Sequence, residues 1–262
     1  MSAGSASAGA ASGETASGPT AAEVRERFIA RRGFWSEIWD PVAAYDPGFV
    51  AGYLELSTVV TDKGNLDPLL RELLAIANDS VATHQYEAGL RIHIRGARRL
   101  GATPAQIVAV LELATTIGVQ AALLGNRVLA EVREVDSRAP ADAAALADEF
   151  RGVHGYWSEH WQRLLDQDPE YFTAYLALTR DWSARREIAP KDRELILTGI
   201  NVATTHLHAD AARAHVSAAL DHGASVEEVI AIFECASGLG VHSVTFGAEI
   251  LADELRLEDG DS

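Results

Sequence analysis

The chain repeats itself. Residues 80–102, SVATHQYEAGLRIHIRGARRLGA, return as residues 202–224, VATTHLHADAARAHVSAALDHGA. His84 pairs with His206 and His93 with His215, each pair separated by 122 residues. Between 84–120 and 206–242, 11 of 37 positions are identical with no gap. Duplication explains such regularity and chance does not. Whatever fold the first half takes, the second half must take again.

The repeat extends upstream in the same register. Trp35, Ser36, Glu37 and Trp39 align with Trp157, Ser158, Glu159 and Trp161, and Asp46-Pro47 aligns with Asp168-Pro169. Each Asp-Pro pair suits an N-cap followed by proline in the first helical turn. The segments LDPLLRELLAIAND and IAPKDRELILTGIN follow, both apolar at helical spacing. Each featured stretch ends in Gly-Ala, at Gly101 and Gly223, a helix stop. Thr103 with Gln106, and Ser225 with Glu228, then form capping boxes that start the next helix. The helices that follow are apolar nearly all round and are expected to lie in a core or a subunit interface. No stretch alternates as a strand would. The expected fold class is all-α, with a tail over 1–20, a first repeat over 21–132, a connector that is partly helical over 133–154, and a second repeat over 155–256.

Composition excludes several functions. A net charge of −16 repels phosphate backbones and anionic lipid, so nucleic acid and membrane are not expected partners. Cys235 stands alone, so no internal disulfide can form. No uninterrupted apolar run approaches bilayer length, and the Gly/Ala/Ser-rich N-terminus has neither the basic start nor the apolar core of a secretory signal. The expected compartment is the cytoplasm.

Candidate chemistry gathers on the repeated segments. His208 and His215 are seven residues apart and share a face if their helix is continuous; Tyr86 and His93 occupy the same places in the first copy. Such imidazole–imidazole and phenol–imidazole pairs transfer protons near neutral pH. His84 and His206 precede them, and can either take part or simply cap the helix. Glu112 and Glu234 sit within apolar helices, where burial would raise a carboxyl pKa and suit a general acid; an ion pair with Arg91 or Arg213 is the alternative. Arg91 and Arg213 can hold a substrate carboxylate in a fork or serve in salt bridges. His242 aligns with Gln120, which makes the second copy richer in histidine and favours it as the more active copy, or favours sites where the copies meet. The W-S-E-x-W segments pack over a core or wall an apolar pocket. Cys235 reads as a small buried hydrophobe.

The run R-E-L, a His-bearing turn, and then H-[VI]-x-x-A-x-x-x-G-A-[TS]-x-x-[EQ]-[IV] resembles the carboxymuconolactone decarboxylase and AhpD-like superfamily. Arg71-Glu72-Leu73 and Arg193-Glu194-Leu195 carry it, as do His215-Val216, Ala219, Gly223-Ala224-Ser225 and the equivalent residues from His93. The resemblance implies an AhpD-like helical fold present twice, a homo-oligomer such as a trimer of two-repeat chains, and a small-molecule substrate. The redox branch has Cys-x-x-Cys-x-x-x-His; aligned on His215, its cysteines fall at His208 and Ala211, and in the first copy at Tyr86 and Gly89. Peroxidase chemistry needs those thiols. The decarboxylase branch remains, implying a cofactor-independent lyase acting on a small cyclic carboxylic acid or lactone. His215, His208, His206, Glu234, His93, His84, Tyr86 and Glu112 are the expected acid–base residues, and Arg213, Arg91 and His242 the expected substrate contacts. Glu194 receives no role, because its 21-residue spacing to His215 exceeds the family pattern. The alternatives are a hydrolase or isomerase assisted by a divalent metal at His206, His208 and His215, and a non-catalytic ligand-binding or assembly protein.

Overall fold

The computed structural model describes residues 18–180 and 187–260. Most of the expected N-terminal tail lies outside them. The described residues form helices and turns with no strand. In order, the helices are α1 Ala21–Arg32, α2 Asp40–Tyr45, α3 Pro47–Lys63, α4 Pro68–Ser80, α5 Glu87–Arg99, α6 Pro104–Ala114, α7 Val119–Val132, α8 Ala143–His154, α9 Glu159–Gln167, α10 Pro169–Thr179, α11 Pro190–Val202, α12 Ala209–Asp221, α13 Val226–Ser237 and α14 His242–Gly260. The duplication is visible directly: α4 and α5 reappear 122 residues on as α11 and α12.

The start and stop signals act as their chemistry requires. Thr103 and Ser225 each close a reciprocal capping box on Gln106 and Glu228. Asp46 and Asp168 accept from the backbone N–H groups of Phe49 and Tyr171, three residues on. Gly101 and Gly223 take positive φ, 95° and 89°, where a side chain would be strained.

Two compact units result. The smaller falls within Met1–Leu56 and Ala248–Ser262. Its N-terminal helices bury Val24, Phe28, Trp39, Val50 and Leu54. Phe28 meets Trp35 edge-on, and Trp39 lies 4.9 Å from Tyr53 between ring centroids. The larger unit, Ser57–Gly247, contains two cores. One joins the copies: Leu70, Leu73, Leu74 and Ile76 of α4 interlock with Leu195, Ile196 and Ile200 of α11, and α6 and α13 add Val110 and Ile232. The other is aromatic. Phe150 of α8, on the sequence connector, is fully buried among Trp161, Phe172 and Leu165.

The apolar helices bury one face only. α6 and α13 leave Val108, Ile230 and Phe233 exposed, and α7 leaves Leu124, Val128, Leu129 and Val132 exposed. Helical length exceeds the uninterrupted apolar runs. Pro104–Val132 and Val226–Arg256 are each continuously helical and, by length and composition alone, apolar enough to cross a membrane. The acidic and polar positions inside them interrupt the apolar letters without interrupting the helix. Each stretch also tightens into a 3₁₀ turn, at Thr115–Gly118 and Gly238–Val241, and gives one face to the core.

The tightest point of the shared core is Gly199. A Cβ there would overlap Leu74 Cδ1 and come within 3.2 Å of Ile232 Cγ2. Alanine normally stabilises a helix interior by roughly 1 kcal/mol over glycine. Here overpacking should outweigh that gain, and Gly199→Ala should lose about 1–3 kcal/mol in denaturant unfolding. A more stable variant would mean that α4 and α11 are not packed this closely.

Candidate active site

The histidines are positioned by a turn that both copies share. After α4 and after α11 the chain reverses through a non-glycine residue with positive φ, Gln85 at 46° and Leu207 at 50°. This backbone conformation is costly for an L-residue and is held by its surroundings. The hold is visible: Tyr86 N–H donates to the Asp79 carbonyl at 2.8 Å, and His208 N–H to the Asn201 carbonyl at 2.9 Å. The turn corrects one expectation. His208 is the N-cap of α12 and Tyr86 the N-cap of α5, so neither lies on one continuous helix with His215 or His93.

Each copy contains a carboxylate–imidazole pair. Glu72 Oε2 lies 2.8 Å from His93 Nδ1, and Glu194 Oε2 lies 2.8 Å from His215 Nδ1. Both glutamates went without a role in the sequence reading, although the 21-residue spacing recurs in both copies. The second pair is the drier one, with Glu194 and His215 only 1% and 5% exposed. Burial alone would raise the Glu194 pKa. The His215 hydrogen bond and charge, with Arg193 at 2.9 Å, outweigh burial and bring it below the usual carboxylate value. Glu194 is therefore a fixed anion at neutral pH.

The second copy also has a cleft of about 780 Å³ between α7, α9 and α12. His208, Asp210 and Arg213 line one side, Tyr156, Trp157, His160 and Trp161 another, and Gln120, Leu123 and Leu124 of the first copy close it. Trp157 thus walls the pocket while Trp161 is also packed in the core. Arg213 is exposed and has no ion-pair partner among the described residues. Arg91, its counterpart, is held by Glu87 at 2.6 Å on the same helix. His160 Nε2 approaches Asp210 Oδ2 at 3.3 Å. Burial and then the neighbouring His206 lower the pKa of His208, so its imidazole is neutral at pH 7. His215 lies beside the cleft, and the ring of Tyr156 stands edge-on to it at 5.3 Å.

In the first copy the groups form a cluster. His84 Nε2 and His242 Nδ1 are 2.7 Å apart, and the His242 ring stacks on Tyr86 at 4.2 Å. Tyr86 OH bonds to Thr245 at 2.7 Å. Asp79, 1% exposed, faces both histidines, with Oδ1 3.7 Å from His242 and 4.0 Å from His84. Burial pushes the Asp79 carboxyl up to about 7 and, with the nearby His84 and His93, takes His242 down to about 4. Sequence reasoning missed Asp79. His242 joins the first copy's histidines, 158 residues away in the chain, because the last helix of one copy lies against the turn of the other.

Other expected residues fall elsewhere. Glu112 and Glu234 are only half-buried, correcting the expectation of a desolvated acid, because each faces the partly wetted side of its helix. Glu234 pairs with Lys63 at 2.6 Å, not with Arg213. His206 donates from Nδ1 to the Ile200 carbonyl at 2.6 Å, so its Nε2 accepts from the Thr83 hydroxyl at 2.6 Å. With both ring nitrogens engaged, and Nδ1 of His215 on Glu194, the set His206, His208 and His215 does not converge on one point. Cys235 packs half-buried against the shared core, and burial holds its thiol protonated, up to about 11.

Comparison with known proteins agrees with this duplicated geometry. The sequence profile of the Carboxymuconolactone decarboxylase family matches residues 47–131 and again 169–253. The chain belongs to the carboxymuconolactone decarboxylase family, with two tandem copies in one polypeptide. A crystal structure at 1.70 Å of a protein from Burkholderia xenovorans LB400, provisionally named a gamma-carboxymuconolactone decarboxylase subunit, superposes with a TM-score of 0.85. It is 32% identical and is matched over 92% of this chain and 99% of its own. A comparison with curated proteins finds no match.

The Glu194–His215 pair gives a pH signature. Glu194 has a lowered folded pKa, so its stabilising contribution is present above the unfolded value of about 4.5 and is lost as pH falls through the folded value. Glu194→Gln should cost about 3 kcal/mol at pH 7, the scale for breaking a buried pair. The gap to wild type should close at acidic pH in chemical denaturation. A gap that persists unchanged at acidic pH would contradict an ionised Glu194.

Proposed function

We propose that the chain is a decarboxylase-like lyase acting on a small cyclic carboxylic acid or lactone in the second-copy cleft. The observation that carries this reading is Arg213, an unpaired guanidinium on the wall of an aromatic cleft beside a neutral imidazole. Arg213 holds the substrate carboxylate. Trp157 and Tyr156, with Leu123 and Leu124, press on the ring and exclude water, which favours release of an uncharged product from a charged group. In the proposed step the bond to the carboxylate carbon breaks and CO₂ leaves. The electron pair passes into the conjugated carbonyl of the ring, and His208, as imidazolium, returns a proton to carbon. The neutral imidazole then recharges from water. His215 is a positioning residue: Glu194 fixes its tautomer, and it sets the edge of Tyr156.

The family membership supports the lyase class, and the name of the Burkholderia protein supplies the first compound to try. With γ-carboxymuconolactone as substrate, CO₂ release measures turnover. Arg213→Ala should raise KM by about 10–100-fold, the value of a charged hydrogen bond, with a smaller effect on kcat. His208→Gln should lower kcat by about 10²–10⁴-fold. Because the reacting form of His208 is protonated and its pKa is lowered, kcat should rise as pH falls below about 6.5 in wild type and stay flat in the variant. Unchanged turnover in His208→Gln removes the assignment.

A further inference from the structure

The cleft chemistry leaves the histidine cluster of the first copy without a task. Asp79 is the unexplained residue there. It is 1% exposed, yet its Oδ2 has no hydrogen-bond partner. A buried carboxylate without a partner is costly, and proteins keep such groups where a proton or a cation offsets the cost. The space around it is made deliberately close. A Cβ on Gly89 would overlap Asp79 Oδ2 and come 2.6 Å from the Tyr86 ring, so only glycine at 89 admits this carboxylate. The second copy has Ala211 at that place and Asn201 in place of the aspartate.

Three donor atoms converge where the carboxylate's other oxygen, Oδ1, faces the two imidazoles. Asp79, His84 and His242 each offer one ligand atom, and these atoms all lie within 4.8 Å of one another. We propose that Asp79, His84 and His242 bind one zinc-type divalent cation, which ties the turn after α4 in the first copy to the head of α14 in the second. Two imidazole nitrogens and one carboxylate oxygen suit zinc and disfavour the all-oxygen sites of magnesium or calcium. Metal–ligand bonds of about 2.0–2.2 Å put tetrahedral donors roughly 3.4 Å apart. Asp79 Oδ1 and His242 Nδ1 stand at 3.7 Å, close to that spacing. The two imidazoles, now hydrogen-bonded at 2.7 Å, part slightly to admit the ion, and His84 closes from 4.0 Å toward Asp79.

The surroundings resemble the supporting layer of a metal site. Tyr86 stacks on His242 and is itself held by Thr245, which fixes the His242 ring. Glu72 orients His93, whose Nε2 stands 4.0 Å from the free Asp79 Oδ2. The side chains of His84 and His242 are 17% and 15% exposed, so an ion can enter from solvent. The equivalent turn of the second copy lacks the set: Asn201 and His206, with Gln120 of the first copy, stand at the three places, and both ring nitrogens of His206 are engaged. The expected stoichiometry is therefore one ion per chain, not two.

The test uses the untagged full chain, stripped with a chelator and titrated with Zn²⁺ by calorimetry and with Co²⁺ by visible absorption. One saturable site and the ligand-field bands of a tetrahedral cobalt centre are expected. Asp79→Asn and His242→Gln each copy the residue that the other copy carries at the equivalent position, Asn201 and Gln120, so both should fold, as circular dichroism of the stripped proteins will verify. Each should weaken binding on the order of 100-fold or more, since even loss of an outer-layer partner costs up to that. His222→Ala, at the exposed end of α12, should bind as wild type does. Absence of saturable uptake overturns the site. So does uptake with unchanged affinity and cobalt spectrum in both Asp79→Asn and His242→Gln.

Discussion

The close contact between α4 and α11 sets the geometry of everything else. Gly199 lets the two helices meet with Leu74 against the backbone of α11, and no larger residue fits without displacing the Leu74 side chain. Each of these helices carries a glutamate toward the histidine of the next helix, and each ends in the left-handed turn that aims two more aromatic or imidazole groups. Because the helices are locked to each other, the two turns are locked too. Thr83 of one copy can then reach His206 of the other at hydrogen-bond distance. A core contact between aliphatic side chains thus fixes polar groups whose useful tolerance is a fraction of an ångström.

That core also explains why neither site belongs to one copy alone. The turn after α4 meets His242 and Thr245 at the head of α14, and the cleft over α12 is closed by Gln120, Leu123 and Leu124 at the head of α7. Positions 120 and 242 are equivalents in the duplication, as are 123 and 245. Each copy therefore borrows the first turn of the other's last helix. The exchange is reciprocal, but the residues exchanged are not the same: an imidazole goes one way and an amide the other.

The parts of this arrangement that could be read from the chain are those governed by neighbours in sequence. Helix period, the capping boxes at Thr103 and Ser225, and the stops at Gly101 and Gly223 depend on side chains within four residues, so their letters suffice. The repeat itself needed only comparison of the chain with itself. What escaped depends on azimuth or on long separation. Glu112 and Glu234 lie in apolar helices, but which face turns to solvent follows from packing that no local window holds. His208 seemed to share a helix with His215 until the left-handed Leu207 moved the helix start past it. Asp79 gained its meaning from His242, far along the chain, and from the missing Cβ at Gly89. Glu194 is legible in the sequence only through its 21-residue spacing to His215, which Glu72 and His93 repeat.

Asp79 with Gly89 in one half, and Asn201 with Ala211 in the other, have a consequence at the level of inheritance. In an assembly of identical subunits any substitution appears at every site at once, so a group that one site needs cannot be discarded at another. Joining two subunits into one gene removes that restriction. One half can abandon an ionisable group and keep its fold through the partner half, while the other half retains it, and the two always arrive in equal number. The positions at which the two halves differ mark where each has been free to specialise.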